Sequence, residues 1–198
     1  MKQGPAIIAT GGANLASLTF ALKRLGTEAR VTEDPNVVMD ANHVILPGVG
    51  TALDAIKRLE RIGLKNTIPQ LTQPVLGICL GMQLLFSGSD EDDTQCLGII
   101  DGQAHRFKTN PKLPIPQMGW NQLQLVGKSP LLKDISEGSY VYFIHSYAVP
   151  EGSYTRASCN YGQKFSAVVE QKNFYGTQFH PERSGLPGAK VLANFLKL

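Results

Sequence analysis

The fold and the chemistry of this 198-residue chain both depend on ten consecutive residues, PVLGICLGMQ, at positions 74–83. An apolar run enters a cysteine that has one glycine two positions before it and another two positions after it, Gly77-x-Cys79-x-Gly81. This spacing is typical of a nucleophile elbow, a tight strand-to-helix turn, here with cysteine in place of serine. The turn strains its central residue and leaves no room for neighbouring side chains. We therefore expect the Cys79 sulfur above the carboxyl edge of a sheet, with the Leu80 N–H placed to stabilise an oxyanion.

The first half of the chain alternates short apolar runs with helical stripes of leucine and isoleucine at three- and four-residue spacing. The predicted elements of this half are strands 6–9, 44–46 and 75–78 and helices 15–25, 51–62 and 80–86. Thr51 and Asp54 form the pattern of a capping box at the start of the second helix. Such alternation with short connections predicts an α/β fold with a mainly parallel sheet and helices on both faces.

The second half, from about residue 97, is rich in short β-type segments that glycine and proline interrupt. These segments are 97–100, 120–126, 140–147, 154–161, 165–170 and 175–179, and a last helix is predicted at 188–198. We expect them to add antiparallel strands, which makes the central sheet mixed. No repeat or linker separates the two halves, so the sequence predicts one domain over residues 1–198.

Composition excludes several classes of protein. The net charge of +3 is too small to predict a nucleic-acid or membrane surface. No apolar run reaches the length of a membrane span, and the first apolar run is too short for a signal peptide. We therefore expect a cytoplasmic protein. An odd number of cysteines (Cys79, Cys96 and Cys159) without close spacing argues against disulfides. The four histidines lie far apart, so we expect neither a metal nor a cofactor.

Partners for the thiol are found in YGTQFHPERS, residues 175–184, where an apolar strand ends in a histidine. His180 is placed to take the thiol proton and return it to a leaving amine. Glu182 follows two positions later and is expected to hold the far ring nitrogen. His145 is a rival base, ranked second because no carboxylate follows it. Together, the cysteine, histidine and glutamate predict a centre that hydrolyses an amide.

A second glycine-rich turn, residues 47–50, ends another predicted parallel strand. Ligands of open α/β sheets bind outside the carboxyl ends of the strands, so this turn is expected at the same edge as Cys79. Glycines on both sides of Val49 allow its peptide N–H to turn towards the site as a second oxyanion donor. An ordinary strand-to-helix turn would explain the glycines equally well.

Taken together, the segments 77–83 and 179–182 resemble the two signatures of the class I, triad-type glutamine amidotransferases. The segments 47–50, 118–121 and 145–147 are similar to those of one branch, the glutaminase subunits of imidazole glycerol phosphate synthase. The resemblance runs essentially end to end. It implies the class I amidotransferase fold and glutamine as the substrate.

The resemblance also assigns roles to single residues. It implies Cys79 as nucleophile, His180 as acid–base and Glu182 as its orienter, with oxyanion N–H groups from Val49 and Leu80. The residues that it implies for binding glutamine are Gly48, Gly50, Gln83, Glu91, Ser146 and Tyr147.

The partner implied by the resemblance is a (β/α)8-barrel cyclase, which forms a heterodimer with the glutaminase. The cyclase receives ammonia through an internal tunnel and makes imidazole glycerol phosphate and aminoimidazole carboxamide ribonucleotide. The surface near Trp120, Asn121 and Arg183 is expected to face it.

Two positions depart from the family pattern. The turn at residues 10–14, TGGAN, retains the asparagine of the usual Asp-Tyr-Gly-x-Gly-Asn motif but not the polar and aromatic residues that precede it, and Gln117 stands where a histidine commonly precedes Met118. Both are expected to bear on partner docking. Three alternatives remain open at this point: a glutaminase for another synthase, a cysteine peptidase on a related fold, and a non-catalytic binding subunit.

Overall fold

The computed structural model describes residues 4–10, 15–108 and 111–198. The strands in chain order are β1 (Ala6–Ile8), β2 (Arg30–Thr32), β3 (Val44–Gly48), β4 (Val75–Cys79), β5 (Phe86–Ser89), β6 (Thr94–Gln95), β7 (Ile100–Arg106), β8 (Gln117–Gln122), β9 (Gln124–Leu125), β10 (Tyr140–His145), β11 (Tyr147–Ala148), β12 (Thr155–Asn160), β13 (Lys164–Gln171) and β14 (Phe174–Thr177). The α-helices are α1 (Leu15–Arg24), α2 (Pro35–Asp40), α3 (Ala52–Arg61), α4 (Leu80–Gln83) and α5 (Gly185–Phe195). Short 3-10 turns lie at Ile68–Gln70, Glu91–Asp93, Pro130–Leu132 and Pro181–Arg183.

The main sheet has eight strands in the order β2-β1-β3-β4-β14-β13-β12-β9. The first five run parallel and the last three are antiparallel to their neighbours. The predicted mixed sheet with added antiparallel strands is therefore confirmed. Strands β8 and β10 form a separate antiparallel pair, and β11, β7, β5 and β6 form a third, smaller sheet.

The central strands are buried at every position, as expected for a sheet that is covered on both faces. Alternate residues enter two separate cores because strand side chains alternate between faces. Ile45 and Leu76 pack in the core that α1 and α5 cover, whereas Leu46 and Val75 pack in the core that α3 covers. The described residues include no helix that is long and apolar enough to cross a bilayer.

The start of α3 is capped as the sequence predicts. The Asp54 N–H donates to Thr51 Oγ1 at 3.2 Å, and the Thr51 hydroxyl donates to Asp54 Oδ2 at 2.9 Å. Such a cap stabilises a helix by about 1 kcal/mol. Because Thr51 follows the turn after β3, the cap also fixes where the chain leaves the edge of the sheet.

The helix after Cys79 is shorter than the predicted 80–86. It ends at Gln83, and Leu84 and Leu85 are fully buried on the way into β5. The carbonyl of Leu85 accepts from the N–H groups of both Ile99 and Ile100, which draws the chain into the smaller sheet. An apolar run can serve a helix or a strand equally well, and tertiary pairing decided between them here.

Several short elements were not predicted from the sequence, among them β2, α2 and β6. β2 has three residues, of which two are exposed, so it carries no apolar alternation. α2 has six residues and begins at Pro35, with the Asn36 N–H donating to Asp34 Oδ1 at 2.9 Å. The departure from the family pattern at residues 10–14 falls mostly outside the described residues. Of that turn, Thr10 donates to the Pro47 carbonyl at 2.8 Å.

Candidate active site

Cys79 occupies the strained turn that its flanking glycines predict. Its φ of 55° and ψ of −113° are rare for a residue with a side chain. A Cβ at Gly77 would lie 2.6 Å from the Gly81 carbonyl oxygen, and a Cβ at Gly81 would collide with the Leu46 carbonyl oxygen. The elbow therefore exists only because both neighbours lack side chains.

The strand order brings the other predicted residues to both sides of the cysteine. Gly48 lies opposite Cys79 on β3, and Thr177 lies opposite Ile78 on β14. The chain continues from Gly48 into the Val49 turn and from Thr177 towards His180. The Val49 turn and His180 therefore both approach Cys79 from strands that pair in parallel with β4, at the carboxyl edge that the three strands share.

His180 forms a buried ion pair with Glu182. The His180 Nδ1 lies 2.8 Å from Glu182 Oε1, and both side chains are at most 10% exposed. Burial by itself lowers the pKa of His180. Hydrogen bonds to Cys79 and Glu182, together with the charges of both groups, outweigh the burial and raise that pKa to about 10. The arrangement therefore favours an imidazolium between a carboxylate and the sulfur.

A cavity of about 300 Å³ opens beside the sulfur. Its volume is at the small end of the range for ligand pockets and suits a molecule of amino-acid size. The cavity is lined by Val49, Gly50, Cys79, Leu80, Gln83, Glu91, Pro116, Ile144, His145, Ser146, Tyr147 and His180. Of the residues predicted to bind glutamine, only Gly48 is absent from this wall. Gly48 instead allows close packing, since a Cβ there would lie 2.7 Å from the Gly81 nitrogen.

Glu91 lies at the cavity wall although its sequence context is an acidic loop. The Ala52 N–H donates to Glu91 Oε2 at 2.7 Å, so the carboxylate sits at the start of α3.

Gly50, two residues before Ala52, has a φ of +90°, a conformation that L side chains rarely adopt. The glycine after Val49 is therefore required by the backbone of the turn.

His145 lines the same cavity but is held in a neutral form. Its Nδ1 lies 2.7 Å from the Tyr147 carbonyl, which can only accept, so Nδ1 carries the proton. Burial among aromatic rings lowers the pKa of His145 to about 4. Among the residues that the structure describes, no carboxylate forms a hydrogen bond or ion pair with the ring, and this geometry favours His180 over His145 as the base.

The remaining histidines and cysteines lie away from the sulfur. His105 is exposed and pairs with Asp90, and the buried ring of His43 packs edge-on against Phe195. Burial raises the pKa of Cys96 to about 11 and that of Cys159 to about 12. Neither thiol is reactive at neutral pH. Within the described residues, no three His, Cys, Asp or Glu side chains are grouped to hold a metal ion.

The predicted partner residues lie outside the cavity, on the hairpin-like pair of β8 and β10 and next to it. Trp120 is 55% exposed, and its ring packs edge-on against Tyr142 with centroids 6.0 Å apart. The guanidinium of the exposed Arg183 lies over the ring of Tyr142, 5.3 Å from its centre. The Asn121 amide donates to the Asn160 carbonyl at 2.9 Å.

Gln178, which is fully buried and lies two residues before His180, was not predicted as a site residue from the sequence. Its Nε2 is 3.8 Å from Cys79 Sγ. The available signal was the amide within the predicted strand 175–179, because a buried polar side chain needs a hydrogen-bond partner.

Comparison with known proteins agrees with this geometry. Residues 8–198 match the family "Glutamine amidotransferase class-I". The chain is 49% identical to the imidazole glycerol phosphate synthase subunit HisH of Vibrio parahaemolyticus, with 100% of this chain and 99% of that protein covered. It is also 49% identical to HisH 2 of Legionella pneumophila strain Philadelphia 1, covering 98% of this chain and 97% of that protein.

The fold has a counterpart among solved structures. A crystal structure of a glutamine amidotransferase superposes with a TM-score of 0.75 at 19% identity, covering 98% of this chain and 97% of that one. Similarity at this identity supports the fold alone, whereas the matches at 49% along the whole length show the family. The chain therefore belongs to the class I glutamine amidotransferases and, within them, to the HisH subunits of imidazole glycerol phosphate synthase.

Proposed function

We propose that the protein hydrolyses the side-chain amide of glutamine to glutamate and ammonia, with Cys79 as the nucleophile. The observation that carries the proposal is the strained Cys79, beside the His180–Glu182 ion pair, at the wall of an amino-acid-sized cavity. His180 takes the thiol proton before the attack, which leaves a thiolate beside an imidazolium, and the thiolate attacks the amide carbon. The resulting oxyanion would be held by the N–H groups of Val49 and Leu80.

The reaction then proceeds in two halves. When the tetrahedral intermediate collapses, His180 returns the proton to the departing nitrogen, so ammonia leaves and a thioester remains on Cys79. A water molecule enters, His180 takes one of its protons, and the hydroxide attacks the thioester. Collapse releases glutamate and restores the thiol. No step requires a metal or a cofactor.

We propose that side chains and backbone groups around the cavity bind the glutamine. The α-ammonium group suits the Glu91 carboxylate, whose Oε1 remains available while Oε2 accepts from Ala52. Gly50, Ser146 and Tyr147 line the same wall, where we expect the α-carboxylate to bind. Gly48 would contribute indirectly by letting β3 approach the elbow.

We further propose that the acceptor of the ammonia is a (β/α)8-barrel cyclase bound as a heterodimer. The relatives are named as subunits of a synthase, which implies a second subunit. The outer face of β8 and β10 presents Met118, Trp120 and Tyr140, all more than half exposed. Ile144 lies opposite Met118 in this pair and also lines the cavity. A partner seated on this face, with Asn121 and Arg183 at its border, would lie close to where ammonia forms.

In this proposal the cyclase uses the ammonia to make imidazole glycerol phosphate and aminoimidazole carboxamide ribonucleotide. Direct transfer through a tunnel would keep the ammonia from protonation in bulk water. Free, buried cysteines suit a reducing compartment, so we propose a cytoplasmic location. We also propose that residues 1–198 act as one domain, since one sheet contains strands from both halves.

The test uses the complex of both subunits. Cys79→Ala is expected to abolish glutamine-dependent synthesis and to leave synthesis from added ammonium unchanged, because the cyclase needs only ammonia. A glutamine-like chloroketone should modify Cys79 alone. Glutamine-dependent turnover that persists in the Cys79→Ala complex would overturn the mechanism.

A further inference from the structure

The sulfur of Cys79 has two neighbours besides His180, and they favour opposite protonation states. The Ile144 carbonyl oxygen lies 3.7 Å from Sγ and can only accept, so it suits a thiol. The amide nitrogen of Gln178 lies 3.8 Å from Sγ and can donate to a thiolate. Gln178 is fully buried, and its backbone N–H is anchored to the Ala167 carbonyl at 2.9 Å.

The direction of every bond behind Gln178 follows from chemistry. The Tyr147 carbonyl can only accept, so the group of Gln83 that lies 2.9 Å from it must be the NH2. The same NH2 lies 2.9 Å from the other end of the Gln178 side chain, which must therefore be the oxygen. This leaves the Gln178 NH2 facing the sulfur. Exchanging nitrogen and oxygen in Gln83 would place two acceptors face to face at Tyr147, and exchanging them in Gln178 would place two donors face to face at Gln83.

The chain of bonds is closed at its far end. His145 Nδ1 supplies the second donor to the Tyr147 carbonyl, at 2.7 Å, so both lone pairs of that oxygen are used. Gln83 donates one amide hydrogen to the Tyr147 carbonyl and the other to the Gln178 side-chain oxygen. Only its oxygen remains for a ligand in the cavity that it lines.

We propose that Gln178 is a further catalytic residue, whose amide N–H donates to the Cys79 thiolate, and that Gln83 is the residue that positions it. The proposal rests on the proposed function, in which the thiolate attacks glutamine. A buried thiolate needs donors because it is removed from water, and hydrogen bonds to charged groups are the strong ones. Without Gln178, the sulfur would lose this amide donor, while the Ile144 carbonyl would remain beside it.

The link through Gln83 has a consequence for the substrate. A glutamine that donates to the Gln83 oxygen polarises the same amide that orients Gln178. The side-chain amides of Gln83 and Gln178 therefore connect the cavity wall to the sulfur of Cys79, in addition to the backbone.

The test measures the alkylation of Cys79 by iodoacetamide, a probe that does not need the glutamine site, from about pH 5 to about pH 10. The full-length protein is used, and modification is followed by mass spectrometry. Gln178→Met keeps the volume and removes the donor. We expect alkylation at neutral pH to slow by about 10- to 100-fold, with the profile moved upwards by about one to two pH units and the same plateau at high pH. A purely structural role would change the plateau and not displace the profile.

A second variant covers the case in which Gln178→Met does not fold. Gln83→Glu cannot donate to the Gln178 oxygen, so the Gln178 amide should turn its oxygen towards the sulfur, and the profile should move in the same direction. The matched control is Gln73→Met. Gln73 is another buried glutamine, which donates to the carbonyls of Val38 and Met39, and its loss should leave the profile in place.

Two outcomes are distinguishable. An unmoved profile in both Gln178→Met and Gln83→Glu overturns the role of Gln178, even if the wild-type complex hydrolyses glutamine. If the two variants displace the profile but the wild-type complex lacks glutaminase activity, the thiolate contact is supported and the proposed reaction is rejected.

Discussion

The Glu182→Gln variant tests the core of the proposed mechanism. Glu182 touches His180 at 2.8 Å, but it does not line the cavity. The substitution keeps the shape of the side chain and removes its charge. If Glu182 acts only through His180, the variant should lower kcat and leave the KM for glutamine nearly unchanged.

The size of the loss follows from the surroundings of the carboxylate. Its second oxygen, Oε2, is buried and has no hydrogen-bond partner among the described residues. An amide NH2 placed there would cost about 1–3 kcal/mol as an unsatisfied donor. The NH2 should therefore turn towards His180 Nδ1 and donate to it. That bond moves the ring proton to Nε2, which then cannot accept the proton of Cys79.

A wrong tautomer is more damaging than a weakened hydrogen bond. Loss of a charged hydrogen bond alone, about 1.5–3 kcal/mol, corresponds to roughly 10- to 150-fold in rate. A base fixed in the wrong tautomer loses up to about 10⁴-fold, as known from the aspartate of serine protease triads. Because the buried Oε2 site drives the amide into the harmful orientation, we expect kcat to fall by about 10³- to 10⁴-fold.

The pH dependence gives a second readout. The pKa of His180 is raised to about 10, so the folded protein holds this proton more tightly than the unfolded chain. The associated stability is fully present below the ordinary histidine value of 6.5 and is lost as the pH rises towards about 10. Without the Glu182 charge, the pKa of His180 should fall, and NMR titration of the ring should show it. Urea denaturation should show a larger destabilisation at pH 6 than above pH 10.

The matched control is Glu170→Gln. It is tested in the same three measurements, which are glutaminase kinetics in the complex, NMR titration of the His180 ring and urea denaturation. Glu170 is a partly buried carboxylate 3.7 Å from Arg156 and remote from the cavity, so its loss should change neither kcat nor the His180 titration. A kcat within tenfold of wild type for Glu182→Gln, with an unchanged pKa of His180, would remove Glu182 from the mechanism.

Two further predictions concern the elbow and the outer face. Gly81→Ala would drive a Cβ into the Leu46 carbonyl, so urea denaturation should show a loss of at least about 1–3 kcal/mol, whereas Gly127→Ala meets only ordinary contacts and should be nearly neutral. A Gly81→Ala protein as stable as wild type would contradict the packing argument. Trp120→Ala should weaken cyclase binding by about 30-fold or more, as measured by calorimetry, with unchanged stability. Val126→Ala, at the same 55% exposure, should bind normally, and equal affinities for both variants would move the partner to another face.

Some elements of the fold were predictable from the sequence, whereas elements next to them were not. The Thr51 cap and the Cys79 turn were predicted because each is decided by residues within a few positions of one another. The helix end at Gln83 was not, because Leu84 and Leu85 are apolar in either a helix or a strand. β2 and α2 were missed because three and six residues are too short to show a periodic pattern.

The sequence by itself determined much of the elbow, since a Cβ at Gly77 would meet the backbone of Gly81 and Met82 a few residues away, and it placed His180 at the end of a predicted apolar strand. Only the tertiary structure decided that β3 and β14 flank β4, so that the Val49 turn and His180 meet at Cys79. The same holds for the Gln178 amide at the sulfur, which lies 99 positions away in the chain. Such contacts depend on strand order and register. These are set by the packing of the whole sheet, and no local spacing encodes them.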